Sequence, residues 1–283
     1  MKEKTKYGLQ MFGCSADFKK DPDYFFKTMS GYGYSIIEPC IIFDDADEFK
    51  RKALESGNQA AAALPDLLWT YETAPQYVEE MKKYGLEILS AHIFGSDYKR
   101  IMPKLKSLAE KIGIKAYVIN TPQEAIDNPV SFAETLSEVA KELNSVGVEL
   151  WLHNSGGDLR KKIELDGKEV FVYEYLLKKS EGVFAQVDTG WVMPGGIEPE
   201  DFMRKYLPVL RCIHFKDLHE NFDCLGMPKM FAVLGEGRTN VKACLSVNEY
   251  GNLPVIIDQD MPISGDIFDD MKKSIDLLKS LEE

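Results

Sequence analysis

Residues 183–217 constrain the fold of this chain more than any other stretch. They read V-F-A-Q-V-D-T-G-W, then a turn-rich link with Pro194, Gly195 and Gly196, an amphipathic segment over 199–206, and R-C-I-H-F-K-D. A short apolar run ending on Asp188, a helical segment and a second apolar run ending on His214 together predict a parallel βαβ unit. Parallel strands have their carboxyl ends on one side of a sheet, so Asp188 and His214 are expected to face one cleft, where α/β proteins place their chemistry.

The same alternation runs through the rest of the chain. Strands are expected over 7–12, 35–38 (stopped by Pro39), 86–92, 116–120, 148–153 and 254–258, in addition to the two already described. Helical sequence follows from Pro22, over 75–83, 97–112, 129–145 and 173–180, near 240–248 and over 267–281. Residues 43–71 read as a less regular region, a candidate flap, with an alanine-rich helical piece at 58–64. Residues 154–173 read as an insertion with a hairpin turning at Asp166 and Gly167, and 218–238 as an irregular cleft-side segment. Eight strand-like runs, each followed by helical sequence and with no linker-like shift in composition, fit an α/β fold. The expectation is a single (β/α)8 TIM barrel spanning 1–283 as one domain. An open doubly wound sheet usually carries a glycine-rich phosphate turn after its first strand, and G-L-Q-M-F-G-C-S is not one.

Composition narrows the partners. A formal net charge of −12 argues against a nucleic-acid backbone, which calls for a basic face. The start, M-K-E-K-T-K-Y-G-L-Q-M-F, lacks an apolar leader, and no stretch approaches the roughly 20 apolar residues of a membrane span, so a cytoplasmic location without membrane contact is expected. The five cysteines are scattered, with no C-x-x-C pair, and read as reduced, mostly buried thiols. Homo-oligomer formation is left open.

Placing the strand ends on one ring brings Glu38, His92, His153, Asp188, His214 and Asp258 together. The chain has four histidines, and three of them terminate expected strands. Two imidazoles with two carboxylates suit one borderline divalent ion such as Mn2+, Zn2+ or Co2+ better than Ca2+, which prefers oxygen alone; Mn2+ is the first expectation, with Zn2+, Co2+ or Mg2+ as alternatives. The expected metal ligands are His153, Asp188, His214 and Asp258.

The stretch D-T-G-W…G-G-I-E-P…F…K-Y…I-H-F-K-D resembles the xylose-isomerase-like TIM-barrel superfamily, the sugar phosphate isomerase/epimerase group that includes inosose dehydratases. Further matches are G-Y-G-Y-S-I-I-E, A-H, G-V-E-L-W-L-H-N, L-G-E-G-R-T-N and I-I-D-Q-D. The resemblance implies one divalent metal held at the ends of the fifth to eighth strands, which here are His153, Asp188, His214 and Asp258. Many epimerases of the group carry glutamate at the first and last of these positions and exchange the substrate proton through both. This chain has histidine and aspartate there, so the symmetric two-glutamate mechanism is not expected to carry over. L-H-N-S resembles an H-N-H variant of the dehydratase-like branch, with Ser155 in place of its second histidine.

A metal holding two adjacent sugar oxygens would favour an enediolate once a base removes the α-proton. Candidate bases are Glu38, His153 and Asp258, with Lys216 or His92 as proton donor or oxyanion partner. The alternatives are a Glu38 that pairs a barrel-interior lysine or arginine, a Lys216 bridged to Asp217, and an Asp260 that caps a loop. Trp191, Trp69, Trp151, Phe12, Phe94 and Tyr117 either wall the cleft or fill the core, and only Trp191 has a positional argument for the cleft. Glu236 would orient a ligand histidine or sit at a turn, and Arg238 would receive a substrate phosphate. The leading expectation is a metal-dependent isomerase or epimerase acting on a small carbohydrate, keto-sugar or polyol. Behind it stand a lyase on the same scaffold, dehydrating a keto-inositol or opening a keto-glycoside, and a non-catalytic metal-bound sugar-recognition protein. DNA-repair endonucleases of the same barrel resemble a richer ligand set, and the acidic balance speaks against them.

Overall fold

The computed structural model describes residues 5–55, 57–95 and 97–282, with the side chains of 249–251 excepted; the basic start of the chain, 1–4, lies outside the described residues. Eleven strand segments form one sheet. Its staves are Tyr7–Gln10, Ile36–Glu38 with Cys40–Ile42, Glu87–Ile88 with Ser90–Phe94, Ala116–Asn120, Glu149–His153, Val183–Asp188, Leu210–Phe215 and Val255–Ile257. Each pairs in parallel with the next, and the first pairs with both the second and the last, so the sheet closes on itself as an eight-stave barrel.

Pro39 does not stop the second strand, contrary to the reading of its sequence. Proline removes one ladder donor, which splits the segment, but the Pro39 carbonyl accepts from the His92 amide at 2.9 Å and the strand resumes at Cys40. The third strand is also divided, at Leu89, and runs on through His92 to Phe94. Trp69–Thr70 adds a short parallel segment against Ile41–Ile42.

The helices follow the sequence signals closely. Asp21 caps the helix Pro22–Tyr32 through the Tyr24 amide, and Gly33 ends it in the left-handed region. Helix Tyr98–Ile112, capped by Asp97, buries Ile101, Leu105, Leu108 and Ile112 against the barrel wall. The candidate flap is two helices, Ala46–Glu55 and Gln59–Leu67, and the insertion after the fifth strand carries the expected hairpin, Lys162–Leu165 with Lys168–Phe171. Segment 218–238 has a small antiparallel pairing, Asp217–Leu218 with Phe231–Ala232. No described helix is long and apolar enough to cross a membrane.

Side chains alternate across each stave, and this sets the contents of the barrel. Ile36, Ala116, Val118, Trp151, Cys212 and Ile256 form an apolar floor inside it. The polar side chains lie in the next inward positions toward the carboxyl ends. Trp69 packs on Phe18, Phe26 and Tyr77, while Tyr117 packs on Phe43 and donates to the Leu105 carbonyl. These two and Trp151 are core residues, so half of the aromatic wall suggested by the sequence belongs to packing.

Gly13, just after the first strand, lies against the backbone that carries the eighth-strand residues. A Cβ there would overlap the Gln259 carbonyl oxygen and stand 2.6 Å from the Asp260 carbonyl carbon. Gly13→Ala is therefore expected to destabilise the protein by about 1–3 kcal/mol, read as a fall in Tm on thermal unfolding. A Tm equal to that of wild type would contradict this packing.

Candidate metal and carbohydrate site

The four expected ligands converge. His153 and Asp188 end the fifth and sixth strands, His214 lies near the end of the seventh, and Asp258 follows the eighth. One ligand atom from each lies within 4.8 Å of all the others, and all four side chains are buried. His153 Nε2 stands 3.6 Å from Asp188 Oδ2 and 4.0 Å from Asp258 Oδ2, and His214 Nδ1 is 3.2 Å from Asp258 Oδ2.

Local sequence explains why these atoms face one another. Asp188 caps the short helix Thr189–Val192, its Oδ1 accepting from the Trp191 amide at 3.0 Å, so Oδ2 is left for the cluster. Asn154 clamps the adjoining strand ends by donating to the Asp188 carbonyl at 3.0 Å and accepting from its amide at 2.7 Å. Thr189 Oγ1 accepts from the Lys216 amide and donates to the Lys216 carbonyl, tying the sixth strand to the seventh. Gly190 leaves room for the stem of Lys216, because a Cβ there would stand 2.7 Å from its Cγ. D-T-G-W thus supplies a candidate ligand, a clamp, a space and an aromatic cover.

Below the quartet, Glu38 is fully buried and its partners are neither lysine nor arginine. Its Oε1 accepts from Ser90 and, at 2.8 Å, from Gln186; its Oε2 lies 2.6 Å from His214 Nε2 and 3.2 Å from His92 Nε2. His92 turns its Nδ1 to Asn120 Oδ1 at 3.1 Å and packs its ring on those of His153 and His214. Burial disfavours charge on Glu38, but the imidazoles of His214 and His92 outweigh it and hold the carboxyl well below its usual range. Burial likewise works against a charged His214, which Glu38 and Asp258 override, raising it to about 10; burial dominates at His153 and lowers it to about 4. A neutral His153 presents a lone pair to the cluster.

Lys216 is 3% exposed and is not bridged to Asp217. Its Nζ lies 2.9 Å from Asp260 Oδ2, 3.1 Å from Asp258 Oδ2 and 3.4 Å from Asp188 Oδ2, under the rings of Trp191 and Phe231. Asp217, one residue on, points to the other side of the strand and accepts from the amides of Leu218, Gly235, Gly237 and Thr239, which folds segment 218–238. Asp260 is therefore a partner of the site lysine and not a loop cap. Arg238 is engaged with Glu198 at 2.9 Å, and Glu236 faces Lys273 at 3.6 Å, both on the exposed surface. Phe12 and Phe94 stack with centroids 6.3 Å apart. A separate open hollow of about 440 Å³ beside the two flap helices is lined by Asp44, Glu48, Lys52 and Arg100, and its cations are paired with its carboxylates.

The quartet suits a divalent cation on its own chemistry. His153 Nε2, Asp188 Oδ2 and Asp258 Oδ1 are buried without a hydrogen-bond partner, a condition that costs free energy unless an ion or water completes it. Sequence reasoning missed Asn154, Thr189, Gly190, Gln186 and Ser90 as supports, and Asp260 as a site residue. The available signal was the two-residue period, since Gln186 and Asp188, His214 and Lys216, and Asp258 and Asp260 are pairs of equal parity.

No family model matches the chain, and no curated protein does. Solved structures do. A sugar phosphate isomerase/epimerase from Parabacteroides distasonis superposes with a TM-score of 0.76 at 17% identity, covering 99% of this chain and 95% of that one. The fold shared with these structures is the closed (β/α)8 barrel. A probable 3-DHS dehydratase from Bacillus anthracis matches at TM-score 0.66 and 14% identity over 97% and 98% of the two chains. The 3-keto-D-glucoside 4-epimerase of E. coli matches at 0.65 and 12% over 98% and 100%.

Asp158, in the loop after the fifth strand, is a second buried acid of a different kind. Burial raises its carboxyl to about 7, although Thr121 and the Ser155 amide oppose the rise. A raised carboxyl stabilises the folded state fully below its unfolded value near 4, and that contribution is lost as pH rises through about 7. Metal-free wild type is thus expected to lose stability from pH 4 to 7 more steeply than Asp158→Asn, measured by urea unfolding at several pH values. Parallel profiles would contradict it.

Proposed function

We propose that the chain is a divalent-metal-dependent isomerase or epimerase acting on a small sugar, keto-sugar or polyol by removing a proton next to a carbonyl. The observation that carries this reading is the set of buried nitrogen and oxygen atoms of His153, Asp188 and Asp258 that have no hydrogen-bond partner and converge with His214 at the mouth of a closed barrel. Solved neighbours on the same scaffold described as isomerases, epimerases and a dehydratase support it.

His153, Asp188, His214 and Asp258 would hold the metal, and His92 and Glu38 fix the orientation of His214 from below. An ion held there would supply Lewis-acid polarisation of substrate oxygens. Asp258 Oδ1, which has no hydrogen-bond partner, takes the α-proton, while the Lys216 ammonium donates to the oxygen on which negative charge develops. Glu38 is enclosed by Ser90, Gln186 and the two imidazoles, so it acts as a positioning residue. Trp191, beside Lys216, covers one side of the substrate with its apolar face.

A specific feature favours 1,2-isomerisation, or the lyase reading, over epimerisation. The positions that carry the proton-exchanging glutamate pair in many epimerases hold His153 and Asp258, and the remaining acid–base pair, Lys216 with Asp258, lies on one side of the site. One-sided proton handling serves a 1,2-isomerisation or an elimination more readily than inversion at carbon.

Incubation of Mn2+-loaded protein with a panel of ketoses and keto-inositols in D2O is expected to place solvent deuterium at an α-carbon. Product mass then separates isomerisation from loss of water or of an aglycone. Asp188→Asn is expected to slow exchange by roughly a hundredfold or more. No exchange with any member of the panel would favour the sugar-recognition role and sink the enzymatic reading.

A further inference from the structure

Lys216 places a fixed positive charge inside a cluster that is otherwise suited to a cation. Its ammonium lies 3.1 Å from Asp258 Oδ2 and 3.4 Å from Asp188 Oδ2, and these carboxylates are the anionic half of the ligand quartet. The position is built rather than incidental. The Lys216 carbonyl accepts from Thr189 at 2.8 Å and from Thr239 at 3.0 Å, its stem fills the space left by Gly190, and Trp191 and Phe231 cover its head at 5.4 and 5.6 Å. A third carboxylate, Asp260, holds the same ammonium at 2.9 Å and is itself 23% exposed, outside the quartet.

Charge balance gives this arrangement a purpose. The charge of the two ligand carboxylates equals that of one divalent ion, Glu38 lies against the His214 imidazole below them, and Lys216 with Asp260 is a neutral pair beside them. Without an ion, Asp188 and Asp258 have a shared lysine to offset their mutual repulsion. Resting on the metal reading above, we propose that Lys216 is a resident counter-cation of the metal site: it offsets part of the charge of Asp188 and Asp258 while no ion is held, leans on Asp260 when one enters, and with Asp260 sets the metal affinity. The lysine keeps the ligand shell folded in the metal-free protein and weakens the hold on the ion, because an ammonium and a divalent ion repel across shared carboxylates. Asp260 is a positioning residue that acts through the lysine.

The test is competition for Mn2+ between metal-free protein and a fluorescent chelator, together with thermal unfolding with and without the ion. Lys216→Met is expected to bind Mn2+ at least about tenfold more tightly than wild type, and to have a lower Tm when metal-free, with the deficit narrowing at saturating Mn2+. Asp260→Asn is expected to bind Mn2+ more weakly, and to do so less in the Lys216→Met background than in wild type. Equal affinity of wild type and Lys216→Met, or a Tm deficit that Mn2+ leaves unchanged, would overturn the proposal while leaving the metal reading intact. Failure of both proteins to bind Mn2+ would overturn both. Should Lys216→Met not fold, Asp260→Asn decides alone, an affinity equal to that of wild type counting against the idea.

Discussion

Carboxylates taken out of water stay ionised together only where positive charge or donors surround them, and the upper half of this barrel is arranged around that constraint. Glu38, Asp188 and Asp258 are buried within a few strands of one another. Glu38 is held by Ser90, Gln186 and two imidazoles from below; Asp258 is shared between His214 and Lys216; Asp188 is shared between Lys216, the Trp191 amide and His153. Burial would push the Asp258 carboxyl up, and Lys216 with His214 pulls it well below its usual range. His153, Asp188 and Asp258 keep buried atoms without a hydrogen-bond partner, as do Glu38 and His92 below them, and a divalent ion at the quartet would complete the balance there.

Barrel closure makes this convergence possible. Residues separated by more than 200 positions, such as Glu38 and Asp258, meet through His214 because the staves are parallel and their carboxyl ends share one rim. The apolar floor of Ile36, Trp151, Cys212 and Ile256 seals the cavity below, so the polar groups above it interact in a medium drier than water and their mutual attraction is stronger than it would be at a surface. Support from outside the strands is equally specific. Asn154 and Thr189 bolt neighbouring strand ends together, and Asp217 organises the segment that brings Phe231 over the lysine.

Much of this was legible in the sequence. Short apolar runs ending in histidine or a carboxylate gave the number of staves and the identity of the quartet, because a strand-end residue needs only the direction of its strand to be placed on the rim. Partners across strands were less legible. That Lys216 would meet Asp260 and not its neighbour Asp217 follows from parity, but the distance between them depends on register, which no local pattern supplies. Pro39 misled because a proline stops a ladder hydrogen bond without ending the stave when both flanking segments find other partners. Trp69, Trp151 and Tyr117 could not be sorted from Trp191 by residue type, since aromatics serve core and cleft alike. Arg238, a candidate for substrate phosphate, is paired with Glu198 at the surface, a contact across 40 residues that only the fold supplies.

The central claim is that one cation is shared by four side chains from four consecutive strands. Crystals grown with Mn2+, with anomalous diffraction collected on both sides of the manganese absorption edge, test it without reference to any substrate. The account predicts a single strong peak bonded to His153, Asp188, His214 and Asp258, at about 2.0–2.3 Å from each ligand atom. A map with no peak among these residues, or with manganese bound only elsewhere on the protein, would contradict it.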